Sequence, residues 1–205
     1  MFLSGSTDQR SRLKKGSKSE ATQLRIIGVA HDVFARDGYV KASLAEIVAQ
    51  AEVTTGAVYH HFGDKKGLFR AVAEHLEAEI LNEVAQSPGA SDPWENFEAG
   101  IVATLNICAR PDIQRIVFQE APTVIGTAEW REVEMQYAFG LMQKTIHQLA
   151  AEKLIHAPDP NLTAQIILGA IIQAAHGVAI ADTKSKALTD VTATITRFIR
   201  ALRVA

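Results

Sequence analysis

With a single cysteine, Cys108, in 205 residues, the chain can form no internal disulfide, and its thiol content fits a reducing compartment. It has neither a GxxxxGK[ST] loop nor a GxGxxG turn, so the usual phosphate-cradling loops are absent. No Cys, His and carboxylate cluster has metal-ligand spacing, and the adjacent His60 and His61 are not the i, i+4 pair of zinc proteases. Cys108 has no triad-like surround. These absences argue against an enzyme, and no cofactor is expected. The first residues, MFLSGSTDQR, hold no apolar stretch that would mark a signal or transit peptide, so the cytoplasm is the expected location. Strictly alternating apolar and polar runs are also missing, which removes the usual signal for strands.

What remains is helical spacing almost throughout. Leu24, Ile27, Ala30 and Phe34 share one face of a first helix, with Ser17 and Glu20 at capping-box spacing and Gly38 suited to its end. Ser43 and Glu46 cap a short second helix whose apolar face is Leu44, Ile47, Val48 and Ala51. A longer helix is expected from about Asp64 to Gln86, and the turn formers SPGASDP (Ser87 to Pro93) follow it. Asp92, Pro93 and Glu95 form a helix start. Pro111 opens a short helix that must end near Pro122, and three more are expected over about 128–155, 160–182 and 187–203. The fold class is therefore all-α, with about nine helices.

Charge is uneven along this chain. Residues 1–75 carry 11 lysines and arginines against 8 acids, whereas the remainder carries 10 against 15. Arg10, Arg12, Lys14, Lys15, Lys18 and Arg25 cluster near the start, so one end is suited to a polyanion. The stretch TTGAVYHHF (Thr54 to Phe62) fits the same idea. On a helical wheel Val58 and Phe62 face the preceding helix, while Gly56 and His60 point outward, flanked by Thr55 and Tyr59. Thr54 can cap the N-terminus. Two short helices joined by a tight turn, the second with a small polar outer face, describe a helix-turn-helix. Small residues let a helix backbone enter the major groove, about 12 Å wide, where Thr and His can reach bases and Tyr can reach phosphate.

From about Leu24 to Val72 the chain resembles the DNA-binding domain of the TetR/AcrR family of bacterial transcriptional regulators. The matching positions are Ala30, Phe34, Gly38–Tyr39, Ser43–Leu44, Ile47, Ala51, Val53–Thr54, Gly56, Tyr59 to Phe62, Lys65 and Leu68–Phe69. Glu52 stands where glycine is common in the turn, Ala42 where threonine is common, and Thr55 where a basic residue is frequent. The resemblance implies a basic arm over 1–18, a helix-turn-helix domain over 19–66, and an effector-binding and dimerisation domain over 67–205. It implies that Thr55, Gly56 and Ala57 face base edges beside His60, next to the cap Thr54. Ser43, Tyr59 and Lys65 would hold phosphates, and Lys14, Lys15, Lys18 and Arg25 would strengthen backbone contact or enter the minor groove. The implied partners are a palindromic operator in double-stranded DNA, a small effector and a second copy of the chain.

One unit of this size makes few phosphate contacts, so useful affinity calls for two half-sites and a dimer. Leu188, Val191, Ile195, Phe198 and Leu202 form a helical seam for it. The preceding helix, LTAQIILGAIIQAAHGVAIA, is apolar nearly all round and presents Ile166, Gly169, Ala170, Gln173, Ala174 and Gly177 as further interface candidates. Its length would suit a membrane, but interior Gln165, Gln173 and His176 and the lack of basic flanks favour burial against a partner. An effector pocket is expected among the middle helices. Leu105, Phe118, Trp130, Tyr137 and Met142 are its candidate walls, and Cys108, Gln119, Glu120, His147 and Gln173 its candidate polar groups. A DNA-binding protein that senses no ligand is the alternative, and it requires a filled core over 93–182.

Overall fold

The computed structural model describes residues 6–204 except Pro88, with side chains from Ser19 onward. Among the described residues it contains nine helices and no strand. They are α1 (Ser6–Lys41), α2 (Leu44–Gln50), α3 (Thr55–Phe62), α4 (Lys65–Gln86), α5 (Pro93–Cys108), α6 (111–124), α7 (Thr127–Ala151), α8 (Pro160–Ile180) and α9 (Lys184–Arg200). The chain divides into two units, Met1–Val72 and Ala73–Ala205, so the division falls inside α4. Its first turns bury Leu68, Phe69 and Val72, which carries the first unit past the expected boundary at residue 66.

In the first unit α1, α2, α3 and the start of α4 enclose Ile26, Ala30, Val33, Phe34, Ile47 and Val58. Phe34 meets Phe69 edge-on at 5.0 Å, and Tyr39 meets Phe69 at 5.1 Å. Leu24 is not part of this core: it is 55% exposed, because Ile26 and Val33 take up the inward stripe of α1 with Ile27, Ala30 and Phe34. α1 begins at Ser6, so the Ser17–Glu20 spacing lies within the helix and not at its cap. Gly38 does break it, at φ +78°, a conformation that costs a side-chain-bearing residue about 1–2 kcal/mol.

The cap chemistry read from the sequence is present. Ser43 Oγ accepts from Glu46 N–H at 3.3 Å, and Asp92 Oδ1 accepts from Glu95 N–H at 2.9 Å behind Pro93. Two helix ends carry no such signal. After α2, Glu52 N–H bonds Ala49 O and Val53 N–H bonds Val48 O, a Schellman turn with Glu52 at φ +51°. After α7, Lys153 N–H bonds Ala150 O and Leu154 N–H bonds Leu149 O, with Lys153 at φ +56°. That turn ends α7 at Ala151 instead of the expected Ile155. Replacing Glu52 by glycine should relieve left-handed strain and raise stability by about 1 kcal/mol, or a Tm gain of several degrees in a thermal melt. A lower Tm would mean that glycine's freedom in the unfolded chain outweighs the relief.

The second unit buries Trp94, Phe97, Ile101 and Leu105 of α5 against Ile146 and Leu149 of α7, Ile167 and Ile171 of α8, and Ile195 and Ile199 of α9. α6 ends at Val124, close to the expected end near Pro122. Its middle, Gln114–Glu120, is a π-helical turn, after which Ala121 N–H bonds Ile116 O and the helix runs on to Val124. The wider turn displaces the carbonyl that a proline ring would otherwise strike. At the end of the chain, His156 N–H bonds Leu202 O at 2.7 Å and Val204 N–H bonds Leu154 O at 3.0 Å, tying the segment after α9 to the α7–α8 connection.

Candidate nucleic-acid interface and ligand cavity

α3 is capped by Thr54, whose Oγ1 accepts from Ala57 N–H at 3.2 Å. Val58 is fully buried and holds the helix to the first unit, with Phe62 and His61 half-buried beside it. Thr55, Gly56, Tyr59 and His60 are all exposed, and Ala57 is half-buried. The outward face read from the sequence is therefore the outward face of the helix. Gly56 is informative because packing does not require it. A Cβ there would meet only Thr54 Oγ1, at 3.8 Å, whereas glycine inside a helix costs up to about 1 kcal/mol relative to alanine. The missing side chain leaves the backbone of α3 open to close approach at this point.

The side chains around α3 differ in how free they are. Ser43 Oγ accepts a cap hydrogen bond, and its hydroxyl proton remains available to donate. Lys65 Nζ lies 3.4 Å from Val40 O and over the Tyr39 ring at 4.9 Å, so it is anchored with donors to spare. Arg25 is exposed on α1. Arg36 is bound to Asp37 and Glu46, which fixes α1 to α2 and raises its pKa further. Lys14, Lys15 and Lys18, expected to meet the DNA backbone, have side chains outside the described residues.

The second unit contains a cavity of about 510 Å³, within the range of small-molecule sites. This space beside the packed core does not favour a ligand-blind binder, which requires a filled core over 93–182. Small residues open the space: Ala99 and Gly100 on α5, Ala138 on α7 and Ala175 on α8 all line it. Three expected pocket residues do so too, namely Cys108, Phe118 and Met142. The other seven do not. Leu105 and Trp130 are core residues, and Gln119 turns its Nε2 to Ala179 O at 2.7 Å. Glu120 and Tyr137 are half-buried off the cavity. His147 is exposed and bonded to Asn161 at 2.9 Å, and Gln173 lies on the outer side of α8.

The sequence reading missed the two polar groups that stand out most. Glu77 and Glu134 line the cavity at 7% and 5% exposure. Burial, reinforced by the Glu134 charge, pushes the Glu77 carboxyl up to about 8. Burial and the same two carboxylates push the Cys108 thiol up to about 12, which keeps it protonated and unreactive. The signal was present in helical spacing: Glu77 continues the stripe of Ala73 and Ile80, and Glu134 lies one turn from Trp130. Among the described residues no three His, Cys, Asp or Glu side chains come together to hold a metal.

The interface residues expected on α8 and α9 divide. Ile166 is 61% exposed and Phe198 41%, and Gln173 is exposed with them. A Cβ at Gly169 or Gly177 would meet nothing within 4 Å. Ala170, Ala174, Val191, Leu188 and Leu202 are half-buried, and Ile195 is 7% exposed in the chain's own core. α8 is also the one helix among the described residues that is long and apolar enough to cross a membrane, and 39% of its most apolar window is buried.

Two family models match the chain: "Bacterial regulatory proteins, tetR family" over residues 26–72, and "Tetracyclin repressor-like, C-terminal domain" over 94–202. The transcriptional repressor BepR of Brucella suis is 35% identical over 143 residues, covering 62% of this chain and 68% of BepR. The transposon Tn10 TetC protein of Escherichia coli is 25% identical over 73% of this chain and 76% of its own. A crystal structure of a TetR-family transcriptional regulator from Pectobacterium atrosepticum superposes with a TM-score of 0.82 at 33% identity, covering 92% of this chain and 97% of that one.

Proposed function

The chain belongs to the TetR family and is a DNA-binding transcriptional regulator, and from that premise we propose that it is a repressor released from a palindromic operator by a small, largely apolar ligand. The observation that carries this reading is the cavity and the helix that helps to form it. α4 begins immediately after the recognition helix α3, and its later turns give Glu77, Ile80, Leu81, Val84 and Ala85 to the cavity wall. A ligand touching that wall interacts differently with each position that α4 can adopt, which is the requirement for shifting a population between states. A coupling of roughly 1–3 kcal/mol would change operator affinity about 5–150-fold. The reading involves no chemistry on the ligand and no cofactor, and it places the protein in the cytoplasm with the DNA.

Two copies are needed to hold successive major grooves. The outward Leu162, Ile166 and Ile180 of α8 and Phe198 of α9 are the apolar surface we assign to pairing. Gly169 and Gly177 let two such helices approach closely, so this face meets a second copy and not lipid. Selection of bound sequences from a random DNA library should enrich an inverted repeat. On that repeat Tyr59→Phe with Lys65→Ala should weaken binding about equally across sequences and lower the salt slope by about 1–2. Thr55→Ala should instead change which sequences are preferred. An unchanged salt slope in the double variant would remove Tyr59 and Lys65 from the phosphate contacts.

A further inference from the structure

We propose that the ligand of the cavity is an organic cation: an apolar amine or quaternary ammonium whose charged nitrogen lies between the carboxylates of Glu77 and Glu134. The proposal rests on the ligand-gated reading above and names the class of molecule that the cavity takes. Most of the wall is hydrocarbon, including Ile80, Phe97, Ile101, Phe118, Leu168 and Ile171, and no lysine or arginine lines it. Its other polar side chains are neutral: the hydroxyls of Ser87, Thr104 and Thr145, the Asn96 amide and the Cys108 thiol. All the charge available to a ligand is therefore negative.

One of the two carboxyl groups keeps a buried oxygen that the fold leaves without a hydrogen bond. Glu134 Oε1 is buried and makes no hydrogen bond; His176 Nε2 pairs with it at 3.5 Å, on a ring packed edge-on against Phe118 at 5.1 Å. A buried acceptor left bare destabilises the fold, and more so when it is charged. Natural chains retain such groups where something else completes them. Two acids within electrostatic reach of each other, both facing one cavity, oppose each other's ionisation, and burial holds Glu77 protonated while the cavity is empty. A cation between them would let both ionise. A neutral ligand could satisfy one oxygen at a time, and an anion would meet repulsion from both. Phe97 and Phe118 add aromatic rings to the same wall, and a ring face attracts a cation with no comparable preference for its neutral counterpart.

The test uses the purified full chain and three probes of one shape: a naphthylbutylamine, the corresponding naphthylbutanol and the naphthylbutanoate. Binding is followed by calorimetry, and release of the selected operator DNA is followed separately. The amine should bind at least about tenfold more tightly than the alcohol, with the butanoate weakest. Glu77→Gln with Glu134→Gln, near-isosteric changes that remove buried charge, should bring amine and alcohol within about twofold of each other without weakening the alcohol. The alcohol thus confirms that the variant retains its cavity. Alcohol or butanoate binding as well as the amine and releasing DNA would overturn the cation assignment and leave ligand gating standing. Amine binding that depends on both glutamates but leaves the operator bound would support the cation site and overturn gating. If none of the three binds, the cation assignment fails.

Discussion

Replacing Glu77 by glutamine stabilises the ligand-free chain, and the gain grows with pH. The sign follows from the direction of the shift. Glu77 is raised from 4.5 to about 8 in the folded chain, so the folded state binds its proton more tightly than the unfolded state does. Below about pH 4.5 both states are protonated and the group contributes no penalty. As pH rises from about 4.5 to about 8 the unfolded chain ionises freely and the folded chain does not, so stability falls across that window and levels off above it. A shift of that size corresponds to roughly 5 kcal/mol, and water entering the cavity reduces the effect to on the order of 2–5 kcal/mol. Glutamine removes the titration and leaves an amide of nearly the same shape. Thermal melts of both chains across this range should show Tm curves that meet near the acid end and separate toward the alkaline end. Curves that stay parallel would mean that Glu77 ionises normally.

A still more local change should unmake the reading head. Gly67 lies in the first turn of α4, where its N–H donates to Asp64 Oδ1 at 2.7 Å, and a Cβ added there would fall 1.9 Å from Phe62 O. That oxygen belongs to the backbone at the end of α3, so it cannot rotate away as a side chain would. Gly67→Ala therefore forces α3 and α4 apart at the turn that joins them. The cost is expected to be about 2–4 kcal/mol, in the range of severe overpacking. Operator affinity should fall by at least about 100-fold, because a small displacement of the recognition helix misplaces every base contact. Amide exchange separates the causes: protection lost over residues 26–72 and kept over 94–202 is the expected pattern. Normal operator binding by the alanine variant would show that the turn yields without moving α3.

These positions show what could be read in the sequence. Caps such as Ser43, Thr54 and Asp92 were legible because a side-chain oxygen acts within its own turn of chain. The outward face of α3 was legible because Val58 and Phe62 fix which side is buried. The ends of α2 and α7 were harder, since Glu52 and Lys153 occupy left-handed positions that glycine usually announces. The cavity was hardest. Its walls come from α4, α5, α6, α7 and α8, and only packing decides whether Trp130 fills the core or Phe118 borders a void. Acids on helices normally face water, so Glu77 and Glu134 drew no notice until the fold buried them.

The outward apolar face of α8 and α9 has a genetic consequence if it is the pairing surface. A subunit with a broken reading head and an intact α8–α9 face would still pair with normal subunits, and each mixed pair would hold one half-site instead of two. Alleles altered in the first unit should then be dominant over the wild type, whereas alleles that damage α8 should be recessive.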